Sequence, residues 1–300
     1  MTRTAAISVA ISTRDRPQAL ERCLASLRAG SVSPAEIVVV DQSRDDETRR
    51  LVAGAADVRY VAHAGAGLGT SQNIAFALAS QPVVAVTDDD CVVDEHWLES
   101  IERALSGSAG LDAVTGRVLA LGPDAPGLYA VSTRGSTVAR EHFAGSRPWE
   151  VGSGNNFAVR RAWLERIGGN DERLGPGAPG LGAVDIDLFH RLLRAGARVR
   201  YEPAAVVLHE RATRQGRLQR RFPYGHGIGA MCVLGLRRGD RRTLLILLQW
   251  LGFRLRRLLR GLGRADLALA REELVVLGGT VCGVARGARL RGHPRRRAPT

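Results

Sequence analysis

Three consecutive carboxylates, Asp88-Asp89-Asp90, close the apolar run that begins at Val83 and precede Cys91-Val92-Val93. Adjacent carboxylates repel one another, so a triplet without a partner costs stability. A hard divalent cation with oxygen ligands removes that cost, and Mg²⁺ or Mn²⁺ commonly bridges one or two carboxylates to a diphosphate. The alternative is a solvated acidic turn; the position at the C-terminal end of a strand favours the metal. Two further polar residues, Thr13 and Asp41, close β-branched runs in the same way, and Asp15 follows Arg14 either as a site residue or as the cap of the next helix.

The elements that would position these groups are legible as a pattern. Ile7–Ser12, Ile37–Val40, Val58–Ala62 and Val83–Val86 read as strands, and Pro17–Ala29 (with Leu20, Leu24 and Leu27 on one face) and Ser71–Ala79 as helices. Continuous apolar strands alternating with helices predict an α/β fold with a mostly parallel sheet covered on both faces. Thr13, Asp41 and Asp88 then share one edge of the sheet, where ligands bind in such folds. Further on, residues 152–164 (GSGNNFAVRRAWL) predict a turn, a strand and a helix start, between loops at Gly122–Glu150 and Leu174–Gly182. A helix from about Asp185 to Ala195 and two strands, Val199–Tyr201 and Ala205–Leu208, complete this part, with His209 after the last. Gly65, Gly67 and Gly69 follow the third strand with GxGxG spacing, which does not match a dinucleotide-binding loop.

Composition removes whole classes of chemistry. All 43 basic residues are arginine, so there is no P-loop lysine, pyridoxal Schiff base or serine–lysine dyad. The four scattered cysteines form no CxxC pair, which suits a reducing compartment and argues against a zinc ribbon or a disulfide framework. Met1 to Ala10 lacks the apolar stretch of a leader, so a cytoplasmic location is expected. The net charge of +13 is concentrated in residues 211–300, where 21 arginines face four acids; residues 1–210 are mildly acidic. The basic residues lie outside the expected body with few aromatics among them, so nucleic acid is not the expected partner.

In order and spacing, ISVAISTRDRPQALERCLASL, AEIVVVDQS, GLGTSQNIAFALA and VVAVTDDDCVVDEHWL resemble the successive motifs of family 2 glycosyltransferases of the GT-A fold. GSGNNFAVRRAWLERIGG and VDIDLFHRLLRAG are similar to that family's acceptor-side motifs, and the resemblance covers roughly residues 5–210. It implies a Rossmann-like GT-A domain over residues 1–210, with a nucleotide-sugar half (1–110) and an acceptor half (111–210), followed by a basic helical extension over 211–300. The implied donor is a nucleotide-sugar, a UDP-sugar first, with GDP- and dTDP-sugars as alternatives.

On this resemblance Asp41 holds the nucleobase, with Thr13, Asp15 and Arg16 in the matching first turn. Asp88 and Asp90 form the DxD element on the ribose and the divalent metal, Mg²⁺ or Mn²⁺, and Asp89 is the ligand if the triplet is read one position earlier. The helix start at Gln72-Asn73 is the phosphate site, with glutamine where many members carry arginine. Asp185 is the implied general base of a single inverting displacement. Val184 stands where the family often has Glu, and Asp187, two residues on, is the alternative base. His209 either completes the metal site or is simply the end of a strand. Asn155 and Asn156 either bind sugar hydroxyls of the acceptor or build a turn; Trp149 and Trp163 either stack on sugar or, for Trp163, pack in the core. The QxxRW element of processive members has no counterpart, the nearest stretch being Gln219-Arg220-Arg221-Phe222, so addition of single sugars is implied.

In the extension, Leu244–Phe253 is too short to span a bilayer, which takes about 20 residues. Helical spacing sets Leu251, Leu255, Leu258 and Leu262 on one side and Arg254, Arg257 and Arg260 towards the other. A second apolar run, Leu274–Ala285, is interrupted by Gly278, Gly279 and Gly283. This pattern predicts a basic amphipathic helix at an anionic membrane surface, peripheral on the inner face of the cell membrane with a lipid-linked or membrane-proximal acceptor. A helix packed on protein with solvated arginines is the other reading. A nucleotidyltransferase and a non-catalytic sugar-nucleotide-binding protein are the rival functions. The first lacks its early Gly-rich basic signature here, and the intact set Asp41, Asp88–Asp90 and Asp185 argues against the second.

Overall fold

The computed structural model describes residues 3–107 and 110–291, in two compact units. One comprises residues up to 66, 70–170 and 185–214; the other comprises 67–69, 171–184 and the chain from 215. Residues 1–2, 108–109 and 292–300, which include the start of the segment expected to lack a leader and the last arginines of the basic region, lie outside the described residues.

Along the chain, β1 (Arg3–Thr13), α1 (Pro17–Arg28), β2 (Val32–Asp41), α2 (Glu47–Val52), β3 (Val58–Ala62), α3 (Leu68–Leu78) and β4 (Val83–Asp88) alternate strand and helix. There follow β5 (Cys91–Val93), α4 (Trp97–Gly107), β6 (Ala113–Ala120), β7 (Leu128–Tyr129), β8 (Arg140–His142), α5 (Pro148–Val151), β9 (Asn156–Arg160) and α6 (Arg161–Ile167). Then come α7 (Val184–Arg194), β10 (Val199–His209), β11 (Ala212–Thr213), α8 (Arg214–Gln219), α9 (Arg221–Arg237), α10 (Arg242–Gly263) and α11 (Leu267–Arg289).

Nine strands form one sheet in the order β3-β2-β1-β4-β9-β6-β10-β5, with β8 also on β10. β3, β2, β1, β4, β6 and β10 share one direction and β9, β5 and β8 oppose it, so the sheet is mostly parallel. Both faces are covered. Ile7, Val9 and Ile11 of β1 pack with Leu20, Leu24 and Leu27 of α1 and with Trp97 and Ile101 of α4. Ala10, Val38 and Val40 face the other way, with Phe76 of α3 and Leu188, Phe189 and Leu192 of α7. Burial of both faces is why these strands read as unbroken apolar runs.

The two strands expected around residue 200 are one, β10, whose register against β6 jumps between Glu202 and Val206. Pro203 has no N–H for the ladder, and the bulge accommodates it. The carbonyls of Arg117 and Ala205 beside the bulge are each served by the Asn156 amide at 2.9 Å, while the Asn156 oxygen accepts the Trp97 indole N–H at 2.9 Å. Gly116 is required there, because a Cβ would meet the Ala205 carbonyl oxygen at 2.2 Å.

In the second unit α9 and α11 pack backbone against backbone. A Cβ at Gly225 would meet the Val276 carbonyl oxygen at 2.1 Å, and one at Gly283 the His226 carbonyl oxygen at 2.0 Å. Of the glycines that interrupt the second apolar run, Gly279 and Gly283 therefore form part of a packing seam, whereas Gly278 faces open space. α10 keeps Leu255 and Leu262 apart from Arg254 and Arg257 as expected, but not Leu258, and these two arginines are paired within the protein and not solvated as the packed-helix reading has it. Arg254 is buried, with its guanidinium 4.0 Å from the Trp250 ring centroid and 3.3 Å from the Glu273 carboxylate, and Arg257 donates to Glu273 at 2.6 Å. Leu258 is buried, but Leu255 and Leu262 face solvent. A buried carboxylate on α11 draws these arginines inward and turns the leucines out.

Removing one partner of a buried ion pair costs about 3–5 kcal/mol, whereas replacing both with apolar residues is near neutral. In chemical denaturation Glu273→Leu alone is expected to show a loss of that size. The double variant Glu273→Leu, Arg254→Met is expected to recover most of it.

Candidate active site

Parallel pairing of β2, β1 and β4 brings three strand ends together: Thr13 is opposite Asp41, and Ser12 is opposite Asp88. The turn that follows carries the triplet. Asp89 is fully buried, accepting the Thr13 hydroxyl at 2.8 Å and facing the Arg16 guanidinium at 2.7 Å. The other arm of Arg16 donates to Asp90 at 2.8 Å. One arginine thus straddles two carboxylates. Burial would lower the Arg16 pKa, but the charges of Asp89 and Asp90 outweigh it and raise it. Asp88 is pushed up to about 8, first by burial and then by the charges of Asp90 and Asp89, against the pull of Arg16. Burial likewise raises Asp89 to about 6, although Arg16 and the Thr13 hydroxyl act to lower it.

β5 begins directly after the triplet and runs antiparallel to β10, with Cys91 opposite His209. The register puts His209 Nε2 3.5 Å from Asp90 Oδ1, and the His209 Nδ1 is 2.6 Å from the Glu210 carbonyl oxygen. Ligand atoms of Asp90, Cys91 and His209 lie within 4.8 Å of one another, all three residues buried, so this cluster could hold a metal ion. Burial, then Asp88 and Asp90, push the Cys91 thiol up, so it stays protonated beside the oxygen and nitrogen donors. The Asp90 carboxylate and the His209 imidazole are donors that fit a cation such as Mn²⁺.

On the Asp41 side the site is a pocket of about 210 Å³. The nearly buried Asp41 carboxylate accepts the Ser43 N–H at 2.8 Å and the Tyr60 hydroxyl at 2.9 Å, and Arg49 and His63 complete the rim. Asp15 does not cap α1. It has φ of 53° and links two turns, donating its N–H to Ser43 Oγ at 2.7 Å and accepting the Arg44 N–H at 3.1 Å. That N–H, ahead of the Arg44 charge, lowers the Asp15 pKa.

The remaining candidates separate by environment. Asp185 is half-buried, its Oδ2 takes the Gly154 N–H at 3.0 Å, and burial raises its pKa. Asp187 is fully buried and paired with Arg191 at 2.6 Å, an i,i+4 partnership already visible in the sequence. Asn155 is buried, with Nδ2 3.6 Å from Cys91 Sγ, and Asn156 is spent on the bulge described above. Asn73 clasps the backbone of Asn170, donating to its carbonyl at 3.0 Å and accepting its N–H at 2.7 Å, and Gln72 accepts the Asn170 amide at 2.8 Å. Trp149 is buried and Trp163 donates to Asp112 at 2.7 Å, so both have packing partners. Tyr60 and Ser43, which orient Asp41, escaped the sequence reading; Tyr60 lies mid-strand on β3, opposite Val39, with no motif of its own.

Residues 8–168 match the family model described as glycosyl transferase family 2. Over 250 residues the chain is 27% identical to the pre-mycofactocin glycosyltransferase of Mycobacterium tuberculosis, a match covering 80% of this chain and 50% of that protein. The chain therefore spans about half the length of this curated relative. It is 30% identical over 117 residues to the validoxylamine A glucosyltransferase of Streptomyces hygroscopicus subsp. limoneus, covering 37% of this chain and 26% of that one. Among solved structures, S. aureus TarS 1–349 in complex with UDP-GlcNAc superposes with a TM-score of 0.62 at 16% identity, over 93% of this chain and 81% of that chain. The mannosyltransferase PcManGT from Pyrobaculum calidifontis, in complex with GDP-Man and Mn²⁺, gives 0.58 at 17% identity, over 96% and 76%. The fold is that of GT-A glycosyltransferases.

The shifts in the triplet have a measurable sign. A carboxylate whose folded pKa is raised binds its proton more tightly in the folded state, so its contribution to stability falls as pH rises from the unfolded value of about 4 through the folded one. With chelator present, the melting temperature of the wild type relative to Asp88→Asn is expected to fall between about pH 4 and about pH 8. Added Mn²⁺ is expected to reverse that trend, since the metal needs the ionised carboxylates.

Proposed function

The chain belongs to glycosyl transferase family 2, and we propose that it transfers a single sugar from a nucleotide-sugar donor to an acceptor hydroxyl, with inversion at the anomeric carbon. The observation that carries this reading is the shared strand edge: Asp41 with its pocket and Asp88 with its turn, both registered on the end of β1. In this reading Asp41 accepts an imide N–H of the nucleobase in the pocket that Tyr60 and Ser43 shape, and a UDP-sugar is the first candidate donor. GDP- and dTDP-sugars are the alternatives. Thr13, Asp15 and Arg16 hold the turn against the donor, Asp88 faces its ribose, and buried Asp89 acts on the donor side through Thr13 and Arg16.

Asp90 and Asp88, with His209, are the residues that would hold Mg²⁺ or Mn²⁺, which when bound offsets the charge of the departing diphosphate. Asp185 takes the acceptor proton. Its partial exposure leaves it reachable, the Gly154 N–H orients it, and burial makes it a stronger base than a solvated carboxylate. Asp187 is the alternative base, but in this reading its pairing with Arg191 keeps it in the helix interior. Asn155 is the acceptor-side polar group of the pair, and Asn156 acts through the bulge. We further read the acceptor as lipid-linked or membrane-proximal and the protein as peripheral at the inner face of the cell membrane; the arginine-rich second unit supports this.

Removing a positioned general base typically costs 10²–10⁴-fold. Asp185→Asn is expected to lose transfer in that range while keeping donor affinity. Asp187→Asn should remain within a few-fold in rate and lose stability instead. The reverse outcome reassigns the base, and full turnover in both Asp88→Ala and Asp90→Ala under chelation overturns the reading. A thermal-shift panel of UDP, GDP and dTDP with and without Mn²⁺ identifies the base, because the bound nucleotide stabilises by mass action.

A further inference from the structure

α10 leaves a row of leucines uncovered along its whole length. Leu244, Leu248, Leu255, Leu259 and Leu262 are each 48% to 59% exposed, with half-buried Leu251 in the same row. Their steps of three and four residues keep them on one strip of the helix, and the arc beside and behind it, Ile246, Trp250, Arg254, Leu258 and Gly261, is buried. At 22 residues the strip runs roughly 33 Å. Exposed Arg256, next to Leu259 on the helix surface, and exposed Arg260 beyond it lie to one side of the strip, Arg241 stands before its first turn, and α10 contains no acidic residue. α11 adds exposed Leu267, Leu274 and Val281 at seven-residue intervals.

An apolar strip bordered by cations needs a partner that is apolar beneath and anionic at the edge. A second copy of the same helix would bring arginine against arginine. Among the described residues no helix is long and apolar enough to cross a membrane. We propose that α10 lies in the plane of an anionic phospholipid bilayer, its leucine row below the headgroups and Arg256 and Arg260 on lipid phosphates. The proposal deepens the membrane-proximal reading above and rests on it for its setting, but it does not depend on the transfer chemistry.

The test uses the full chain and sedimentation with phosphatidylcholine vesicles, with and without phosphatidylglycerol. Wild type is expected to bind the anionic vesicles at least roughly ten-fold more tightly, less so at high salt. Leu248→Gln with Leu255→Gln is expected to lose about ten-fold or more of that binding. Its circular dichroism and its nucleotide-dependent melting shift should be unchanged, which separates loss of the surface from loss of the fold or of donor binding. Arg256→Gln with Arg260→Gln is expected to remove the preference for anionic lipid and flatten the salt dependence. Vesicle binding that the leucine changes leave intact would overturn the proposal. So would leucine variants that convert a dimer to a monomer in sedimentation velocity with no vesicle binding in the wild type.

Discussion

Three carboxylates on consecutive residues, set into a largely buried turn, demand countercharge, and much of the first unit is arranged to supply it. Arg16 spans Asp89 and Asp90, the Thr13 hydroxyl donates to Asp89, and the turn after β1 that carries Arg16 is tied through Asp15 to the turn after β2. Even so, Asp88 is held well above the usual carboxylate range, so one arginine does not satisfy the triplet. The residual demand is directional. It lies beside the strand pair β5 and β10, which brings His209 to Asp90 in a cluster that could hold a metal ion.

A similar logic operates in the second unit with the opposite sign. Glu273 is a buried anion on α11, and it is compensated by two arginines of α10 and by the stacking of one of them on Trp250. The consequence is geometric as much as energetic. Because cations occupy the protected side of the helix, its leucines are left for the exposed side. The glycine seam between α9 and α11 leaves those helices no side-chain layer between them at Gly225 and Gly283, so substitutions there push backbones apart.

What the sequence discloses follows from the range of each interaction. The strands β1 to β4 and the helices between them are local patterns, and the alignment of Thr13, Asp41 and Asp88 on one edge follows from parallel pairing alone. Family resemblance then carried the domain type. Three things were not legible because distant residues decide them. Arg16 meets a triplet more than seventy positions away. Asn156 reads as a turn residue, yet its amide serves carbonyls exposed by a proline bulge on another strand. On α10 either of two faces could have been buried, and the choice rests on a glutamate in the next helix. The pairing of Asp187 with Arg191 was available from spacing alone, and it distinguishes the two candidate bases by environment.

The pairing of β5 with β10 also bears on how the protein is made. Cys91 and His209 face each other across adjacent strands, yet they are more than a hundred residues apart in the chain. During synthesis the acidic turn therefore emerges long before the imidazole that closes its cluster, with Arg16 already available to neutralise it. Arg16 is available to the triplet from the start of the chain, whereas His209 reaches Asp90 only once β10 has paired with β5.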